Sequence, residues 1–539
     1  MEDNHRSTAT EDSQGGGLRE RLPGVARVMD QYGRLTLAEY CRTFSVNHAT
    51  PPQSAADFVA VCSDYARRLL GDTIADRLAR RLERHPVVLT ANHHCVDYHS
   101  LFVQGNILFG LALAFDDAFA PCPDEVVPIL AFGTVSMGNQ VNPRGIVLSR
   151  DCTSLPERYS QVRKQVRVNI FPASMRRTMV TLAPAFTRSM VGLGVKGARQ
   201  LRRDKIIGDV ECATVESLLH KEYLDPRVLA MPSYSDQAVL LNSKVWRRLF
   251  AADMGRDLPE LAALEIEEVV ARLMEHDLAN PDSLLYRVLF DTGLRSHVLR
   301  NLDGAYGCWE IESLVQCLDP GMSIRVREDV AGKSGTFFFW GRGPKDRHIR
   351  YAMGLHEGDL HLMAIDGDGV VNVVPFTPEA LAQGVRERTL FPSLFTSFLT
   401  VALARGIKCY GGFWQSDYLP IMQKGVCDAL AACGQTTLAA QVGSVPTANY
   451  VTGMTMAVAE YPDGLVRPAG TVEIAIKGGL DRSDLARLAT ITVEEANLFG
   501  LMEICKNFSL EDEIRVDPLL NVDEANKRRI AEKMVGIKL

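Results

Sequence analysis

The stretch that decides the fold is VVLTANHHCVDYHSLFVQGNILFGLALAF, residues 87–115. Its first five residues are mostly apolar and β-branched and follow Pro86, which predicts a short buried strand. A polar turn occupies residues 92–99, and residues 101–115 have the composition of an apolar helix. A strand, a polar turn and a helix in this order open a Rossmann-like α/β domain. We therefore expect a mostly parallel sheet.

Residues 126–132, VVPILAF, repeat the first half of this pattern, because an apolar run again leads into a polar turn. Further along, residues 156–330 have mostly helical spacing of apolar positions. Residues 331–375 alternate with period two, which predicts a β-meander with a glycine-rich hairpin turn at 366–369. Thr377 and Pro378 then predict a capped helix start.

The chain thus divides into parts arranged around one sheet. Segments before and after a helical insertion form a composite Rossmann-like core, and helical regions flank this core. The parts are a disordered tail (1–20), N-terminal helices (21–84), the core (85–155 and 375–480), the helical insertion (156–330), the β-meander (331–375) and a helical C-terminal region (481–539).

Composition narrows the class of protein. The 539 residues are 46% hydrophobic with a formal net charge of −7, which allows a large core and argues against nucleic-acid binding. Residues 389–404 are apolar but too few to span a membrane, and they predict a buried helix. The 12 scattered cysteines predict reduced thiols and a cytoplasmic protein. Residues 163–205 are strongly basic, which favours either an anion site or a solvated helical face.

The first polar turn contains Asn92, His93, His94, Asp97 and His99. Ligands of open α/β sheets bind outside the carboxyl ends of the strands, so both position and composition predict a functional site. We expect His93 or His94 to accept a proton, Asp97 to orient the imidazole, and Asn92 and His99 to contact substrate. Alternatively, His93, Asp97 and His99 form a metal site of two imidazoles and one carboxylate.

Two further turns are predicted to bind substrate. Small residues let a ligand approach the backbone, and amide or guanidinium groups can hold a carboxylate or phosphate. The alternatives are a glycine-rich loop at a domain boundary for the second turn and aromatic core packing for the third. The predicted substrate ligands are Ser136, Asn139 and Arg144 in the second turn and Gly411, Gly412, Gln415, Asp417 and Tyr418 in the third.

Four pieces recur in the order known from one enzyme family: residues 87–114, the run VVPILAFGTVSMGNQ (126–140), the meander from Phe337 to 379, and LFPSLFTSFLTVALARGIKCYGGFWQSDYL (390–419). In this order they resemble the bacillithiol-biosynthesis cysteine-adding enzyme family, over roughly residues 84–425. The resemblance implies an enzyme that joins the amine of a small polar substrate to an amino acid or carboxylate partner.

Three hypotheses stay open. The first is a ligase or transferase that forms a C–N bond in small-molecule biosynthesis, with Asn139, Arg144 and Gln415 holding a polar or anionic substrate. Its cofactor is unknown, and a nucleotide is one candidate. The second is a metal-dependent hydrolase or oxygenase, and the third is a non-catalytic ligand-binding subunit. Among partners we expect a small molecule and neither nucleic acid nor membrane, and a homo-oligomer is left open.

Overall fold

The computed structural model describes most of the chain as a mixture of helices and strands. Most of the predicted tail, residues 1–17, and the centre of the predicted hairpin turn, residues 367–368, lie outside the described residues. The described stretches are residues 18–45, 49–114, 125–139, 141, 144–149, 166–254, 258–311, 335–356, 358–366, 369–462, 464–507 and 524–539.

The strands and helices are numbered here in chain order. The strands are β1 Val87–Leu89, β2 Val126–Ala131, β3 Gly145–Leu148, β4 Val166–Asn169, β5 Glu260–Glu265, β6 Phe339–Arg342, β7 His348–His356, β8 Asp359–Asp366, β9 Gly369–Pro375, β10 Leu390–Pro392, β11 Lys408–Gly412, β12 Tyr450–Thr452, β13 Ala457–Glu460, β14 Val466–Pro468 and β15 Val535–Lys538. The helices are α1 Leu18–Arg21, α2 Pro23–Tyr32, α3 Leu37–Arg42, α4 Ala56–Leu70, α5 Asp72–Arg84, α6 Ser100–Ala114, α7 Arg188–Arg203, α8 Asp209–Leu218, α9 Pro226–Leu229, α10 Tyr234–Trp246, α11 Ile266–Leu278, α12 Leu284–Phe290, α13 Thr292–Asn301, α14 Pro378–Arg386, α15 Leu394–Phe398, α16 Gln415–Ala432, α17 Thr436–Gly443, α18 Thr471–Lys477, α19 Arg482–Ala486, α20 Val493–Asn507 and α21 Glu524–Lys533.

A five-stranded sheet lies at the centre of the fold, in the order β12-β11-β1-β2-β5. Every neighbouring pair in it is parallel, so the predicted parallel sheet is confirmed. Strand β1 is in the middle, between β2 and the much later β11. The carboxyl ends of β1, β2 and β11 therefore meet at one edge of the sheet.

Successive residues of these strands face two different cores. Val87 and Leu89 of β1 pack with α6 and the N-terminal helices, whereas Val88 packs with α4, α5 and α11. On β2, Ile129 belongs to the first core and Leu130 to the second. Because helices cover both faces, nearly every strand position is apolar, which made β1 and β2 recognisable in the sequence.

The predicted helical insertion contributes an edge strand to this sheet. Its residues 260–265, ELAALE, consist of good helix formers, yet they form β5. Strand β5 pairs with β2 over six positions, from Val126↔Glu260 to Ala131↔Glu265. Pairing with β2 therefore outweighs the helix preference of these residues. Contacts with neighbouring strands commonly override such local preferences in a sheet. The insertion also contributes β4, which forms an antiparallel pair with β3.

The predicted meander is confirmed as an antiparallel sheet of order β10-β6-β7-β8-β9. The predicted cap of α14 is also present, since the N–H of Ala380 donates to Oγ1 of Thr377 at 3.2 Å. Residues 389–404 differ from the single buried helix that was predicted, because they begin as β10 and continue as α15 and a π-helical turn, Leu399–Leu403.

The C-terminal region also differs from its prediction as purely helical. Its last strand, β15, lies parallel to β13 in a third sheet of order β14-β13-β15. Val535 and Ile537 point into the same core as α6, which accounts for the alternating burial of this strand. In the described part of the chain, no helix has both the length and the apolar character that a membrane crossing requires.

Candidate functional site

The first polar turn lies at the carboxyl end of β1, as predicted, and is bonded to the neighbouring strands. The N–H of Phe132, just after β2, donates to the carbonyl of Asn92 at 2.9 Å, and the N–H of His94 donates to the carbonyl of Phe132 at 2.7 Å. On the other side, the N–H of Thr90 donates to the carbonyl of Tyr410 at 2.7 Å. The turn thus lies between the ends of β2 and β11.

Asp97 lies in a buried cluster of amides. The side-chain amides of Asn92 and Asn106 donate to its Oδ2 at 2.7 and 2.8 Å, and its own N–H donates to Oδ1 of Asn242 at 2.9 Å. Burial raises the pKa of Asp97 to about 7, although the hydrogen bonds from Asn106 and Asn92 act in the opposite direction. Asp97 makes no hydrogen bond to His93 or His94, so its predicted role as orienting carboxylate is wrong.

His94 is oriented instead by a serine and a glutamate from other elements. Its Nε2 lies 2.9 Å from Oγ of Ser235 and 3.2 Å from the carbonyl oxygen of the same residue. The hydroxyl of Ser235 donates to Oε2 of Glu265. His94 and Glu265 are 0% and 1% exposed, so this chain of contacts is shielded from water. Burial lowers the pKa of His94, while the negative charge of Glu265 opposes that shift.

Glu265 is the last residue of β5, and a second set of donors surrounds its carboxylate. Thr181 donates through Oγ1 to Oε1, and Nη2 of Arg388 lies 3.0 Å from the same oxygen. Burial acts to raise the pKa of Glu265, but the charges of Arg388 and His94 and the hydroxyl donors outweigh it, and the pKa is lowered. The carboxylate is therefore ionised at neutral pH although it is buried.

His93 and His99 flank the ring of Phe102, with ring centroids 5.6 and 5.7 Å from it. Burial lowers the pKa of each to about 4. For His93 a hydrogen bond to Asn139 opposes this shift, whereas for His99 the charges of Arg167 and His93 add to it. Both imidazoles are neutral at pH 7.

The metal alternative does not fit this geometry. No group of three His, Cys, Asp or Glu side chains within the described ranges is placed to hold a metal ion, and His93, Asp97 and His99 all lie in those ranges. The reason is local, since Oδ2 of Asp97 accepts two amide donors while the two imidazoles lie against Phe102.

The second turn lies beside the first, with its backbone held by a glutamate. Oε2 of Glu267 accepts from the N–H of Gly133 at 2.7 Å, and Oε1 accepts from the N–H and the hydroxyl of Thr134 at 2.8 and 2.7 Å. Burial and the charge of Glu265 raise the pKa of Glu267 to about 7, against these hydrogen bonds. The backbone N–H groups of Gly133 and Thr134 thus bind the protein's own carboxylate.

The predicted ligands of this turn have different surroundings. The carbonyl of Ser136 accepts from the N–H and Nδ2 of Asn139 at 3.1 and 2.8 Å, and Asn139 also bonds to the side chain of His93. Nη1 of Arg167 lies 3.4 Å from the carbonyl of Asn139. Arg144 is 3% exposed, and burial together with the nearby charge of Arg176 lowers its pKa. Asn139 thus joins the second turn to the first.

The third turn contacts the end of β1 through Gln415. Nε2 of Gln415 donates to Oγ1 of Thr90 at 2.8 Å and to the carbonyl of Cys409 at 3.1 Å. A Cβ on Gly411 would collide with the Gln415 side chain, so glycine is required there by close packing. A Cβ on Gly412 would lie 3.9 Å from that of Ala91, so the third turn begins close to the residue that precedes the first turn.

Asp417 and Tyr418 serve packing in this structure. Oδ1 of Asp417 accepts from the N–H of Gly24 and so joins α16 to α2. The ring of Tyr418 lies 5.9 Å from that of the buried Phe398 and 5.7 Å from that of Tyr306, which is exposed. Packing of this kind is the alternative that the sequence left open for the third turn.

Buried side-chain polar atoms without a hydrogen-bond partner in the described residues include six in the first turn. Such atoms are rare in folded proteins and mark places where a polar ligand or water belongs. The six in the first turn are Oδ1 of Asn92, Nδ1 of His93, Nδ1 of His94, Oδ1 of Asp97, the hydroxyl of Tyr98 and Nδ1 of His99.

Sequence reasoning missed the residues that surround His94. Glu265 and Glu267 follow an apolar run that was included in the helical insertion, and they would have been noticed had that run been recognised as a strand. Ser235 occupies the second position of α10 and had no local signal. Arg388, in the left-handed region at φ 56°, lies in an ordinary polar stretch.

We compared the chain with family models, with curated proteins and with solved structures, and none of them matches it.

Proposed function

We propose that the protein is an enzyme with a Rossmann-like core that binds a small polar substrate at the carboxyl edge of the parallel sheet. The strand order supports this proposal. Numbered within the sheet by chain position, β5-β2-β1-β11-β12 reads 3-2-1-4-5, the order of a doubly wound dinucleotide-binding sheet up to its fifth strand. In such sheets ligands bind where the order reverses, which here is between the ends of β1 and β11.

The observation that supports a site most strongly is the group of unpartnered buried atoms in residues 92–99. Six such atoms lie within this one turn, next to the reversal point. An unmatched buried polar group costs about 1–3 kcal/mol, so a ligand that pairs with these groups gains that free energy on binding. A polar substrate with several donors and acceptors would satisfy them.

The reaction we propose is formation of a C–N bond, as the family resemblance implies. The amine nitrogen of one substrate attacks the carboxyl carbon of the other, a carbon–oxygen bond breaks, and the proton of the amine passes to His93 or His94. Both imidazoles are neutral at pH 7 and can accept it. The net loss of water requires an activated carboxyl, which a nucleoside triphosphate would supply. Arg167 lies close enough to the first and second turns to balance the charge of an acidic substrate.

The proposal includes a cytoplasmic location and a small-molecule partner. The cysteines whose side chains are described are free thiols, as expected in a reducing compartment. A homo-oligomer remains an open alternative.

Turnover of defined substrates tests the proposal. The protein is incubated with cysteine and glucosaminyl malate, with and without ATP, and a product equal to the two substrates less one water is sought by mass spectrometry. We expect product with wild type and a loss of about 10²-fold or more in rate for either His93→Ala or His94→Ala with unchanged fold. Full rates in both variants, or no product from wild type with this pair or with related amines and amino acids, would contradict it. Saturable binding without turnover would identify a ligand-binding subunit instead.

A further inference from the structure

We infer that Ser235 and Glu265 are positioning residues that keep the proton of neutral His94 on Nε2 and so make Nδ1 the proton-accepting atom. This inference rests on the proposed function for the role of His94 as base, while the tautomer itself follows from the contacts alone.

The first argument comes from the hydroxyl of Ser235, which has a single proton. Glu265 is ionised and can only accept, so Ser235 must donate its proton to Oε2 of Glu265. The same hydroxyl oxygen lies 2.9 Å from Nε2 of His94. With its own proton committed to Glu265, the hydroxyl can only accept from His94. Nε2 must therefore have a hydrogen.

The second argument is independent of the hydroxyl. The backbone carbonyl of Ser235 lies 3.2 Å from Nε2 of His94, and a carbonyl oxygen only accepts. Both acceptors thus demand the same tautomer. In a neutral imidazole with a hydrogen on Nε2, Nδ1 has the lone pair. Nδ1 of His94 is buried and has no hydrogen-bond partner in the described residues, so this lone pair is not engaged by the protein.

In the proposed step, one proton moves from the substrate amine to Nδ1 of His94, and the positive charge moves with it. The bond from the substrate nitrogen to its proton breaks, a bond from Nδ1 to that proton forms, and His94 becomes an imidazolium. The carboxylate of Glu265, 4.0 Å from Nε2, stabilises that positive charge without taking up the proton. Arg388 and Thr181 keep the carboxylate in place and ionised.

Other titratable groups around His94 also influence how readily it takes up a proton. Asp236, in the first turn of α10, favours the imidazolium, and Arg388 disfavours it. Tyr65 of α4 contacts Ser235 and is kept neutral by burial, which raises its pKa. Glu265 is the charged group that reaches His94 through the hydroxyl of Ser235, to which Tyr65 is also hydrogen-bonded. His93 has no comparable carboxylate, because the side chain that bonds to it is Asn139.

The experiment that tests the inference is NMR of the full-length protein with ¹⁵N-labelled histidine, assigned with a His94→Gln variant. At pH 7.5 we expect His94 in wild type to show a protonated Nε2 and an unprotonated Nδ1. Ser235→Ala and Glu265→Gln should each lower the population of this tautomer and lower the pKa of His94. Ser63→Ala is the matched control, since Ser63 is a buried serine whose hydroxyl donates to the backbone carbonyl of Ala75, and it should leave the His94 signals unchanged.

A proton on Nδ1 of neutral His94 in wild type would overturn the inference, whether or not the variants fold. Unchanged His94 signals in a folded Ser235→Ala protein would overturn it too. If turnover is found, kcat of Glu265→Gln should fall about 10²-fold or more, because the carboxylate that stabilises the His94 imidazolium is lost. If the tautomer is as inferred but His94→Ala keeps full turnover, the positioning stands and the catalytic role proposed for His94 is refuted.

Discussion

Asp97→Asn tests the electrostatics of the candidate site through stability alone. Asp97 is 7% exposed, and burial raises its pKa from 3.8 to about 7. A carboxyl whose pKa is raised by folding contributes stability that is fully present below its unfolded pKa and is lost as the pH rises through its folded pKa. At 1.36 kcal/mol per pKa unit, the loss is about 4 kcal/mol over the whole range and about 2 kcal/mol between pH 5.5 and 8.5.

Asparagine removes the titration but keeps an oxygen that can accept from Asn92 and Asn106. We therefore expect the stability of Asp97→Asn relative to wild type to improve by about 2 kcal/mol from pH 5.5 to pH 8.5. Urea unfolding followed by tryptophan fluorescence at both pH values measures this difference, and Asp282→Asn, at a side chain 87% exposed, controls for the substitution and the buffers. A stability difference that is the same at both pH values would refute the argument that burial keeps this carboxyl protonated.

Two further predictions concern packing around the same sheet. Gly411→Ala should lower the free energy of unfolding in urea by about 1–3 kcal/mol, because the new methyl group collides with the buried side chain of Gln415. Gly412→Ala is the control and should change stability little, because the nearest neighbour of its methyl group would be 3.6 Å away. Equal effects of the two substitutions would contradict this explanation. Arg405→Ala should cost about 3–5 kcal/mol, because it leaves Asp277 buried without its partner at 2.9 Å, while Lys424→Ala, at an exposed ion pair, should cost much less. A small effect at Arg405 would mean that water reaches Asp277.

The sequence identified those parts of the fold whose residues are buried on a regular pattern. Val87 to Leu89 and Val126 to Ala131 are apolar on both faces and bounded by turns, so strands could be predicted there. Glu260 to Glu265 has no β-branched residue and becomes a strand only because β2 offers it an edge. Its local sequence favours a helix, and no single-sequence pattern could have shown the pairing.

The sequence likewise predicted the position of the candidate site but not the partners of its side chains. A polar turn after a buried strand locates His94, because the position follows from strand order. The partners of His94 could not be found in this way, since Ser235 and Glu265 are 141 and 171 residues further along the chain, and only the folded sheet brings them together. Asp97 was assigned to the imidazole because it is near in sequence, whereas its side chain turns toward Asn106 of α6.

The central position of β1 also has a consequence for folding during synthesis. Strand β1 pairs with β2 soon after both exist, but its other edge waits for β11, whose register begins at Val87↔Lys408, 408 − 87 = 321 residues later. At about 5–20 residues per second, that edge stays open for roughly 16–64 s. An apolar strand with an open edge pairs readily with other chains, so nascent chains that end before residue 408 should aggregate or require a chaperone.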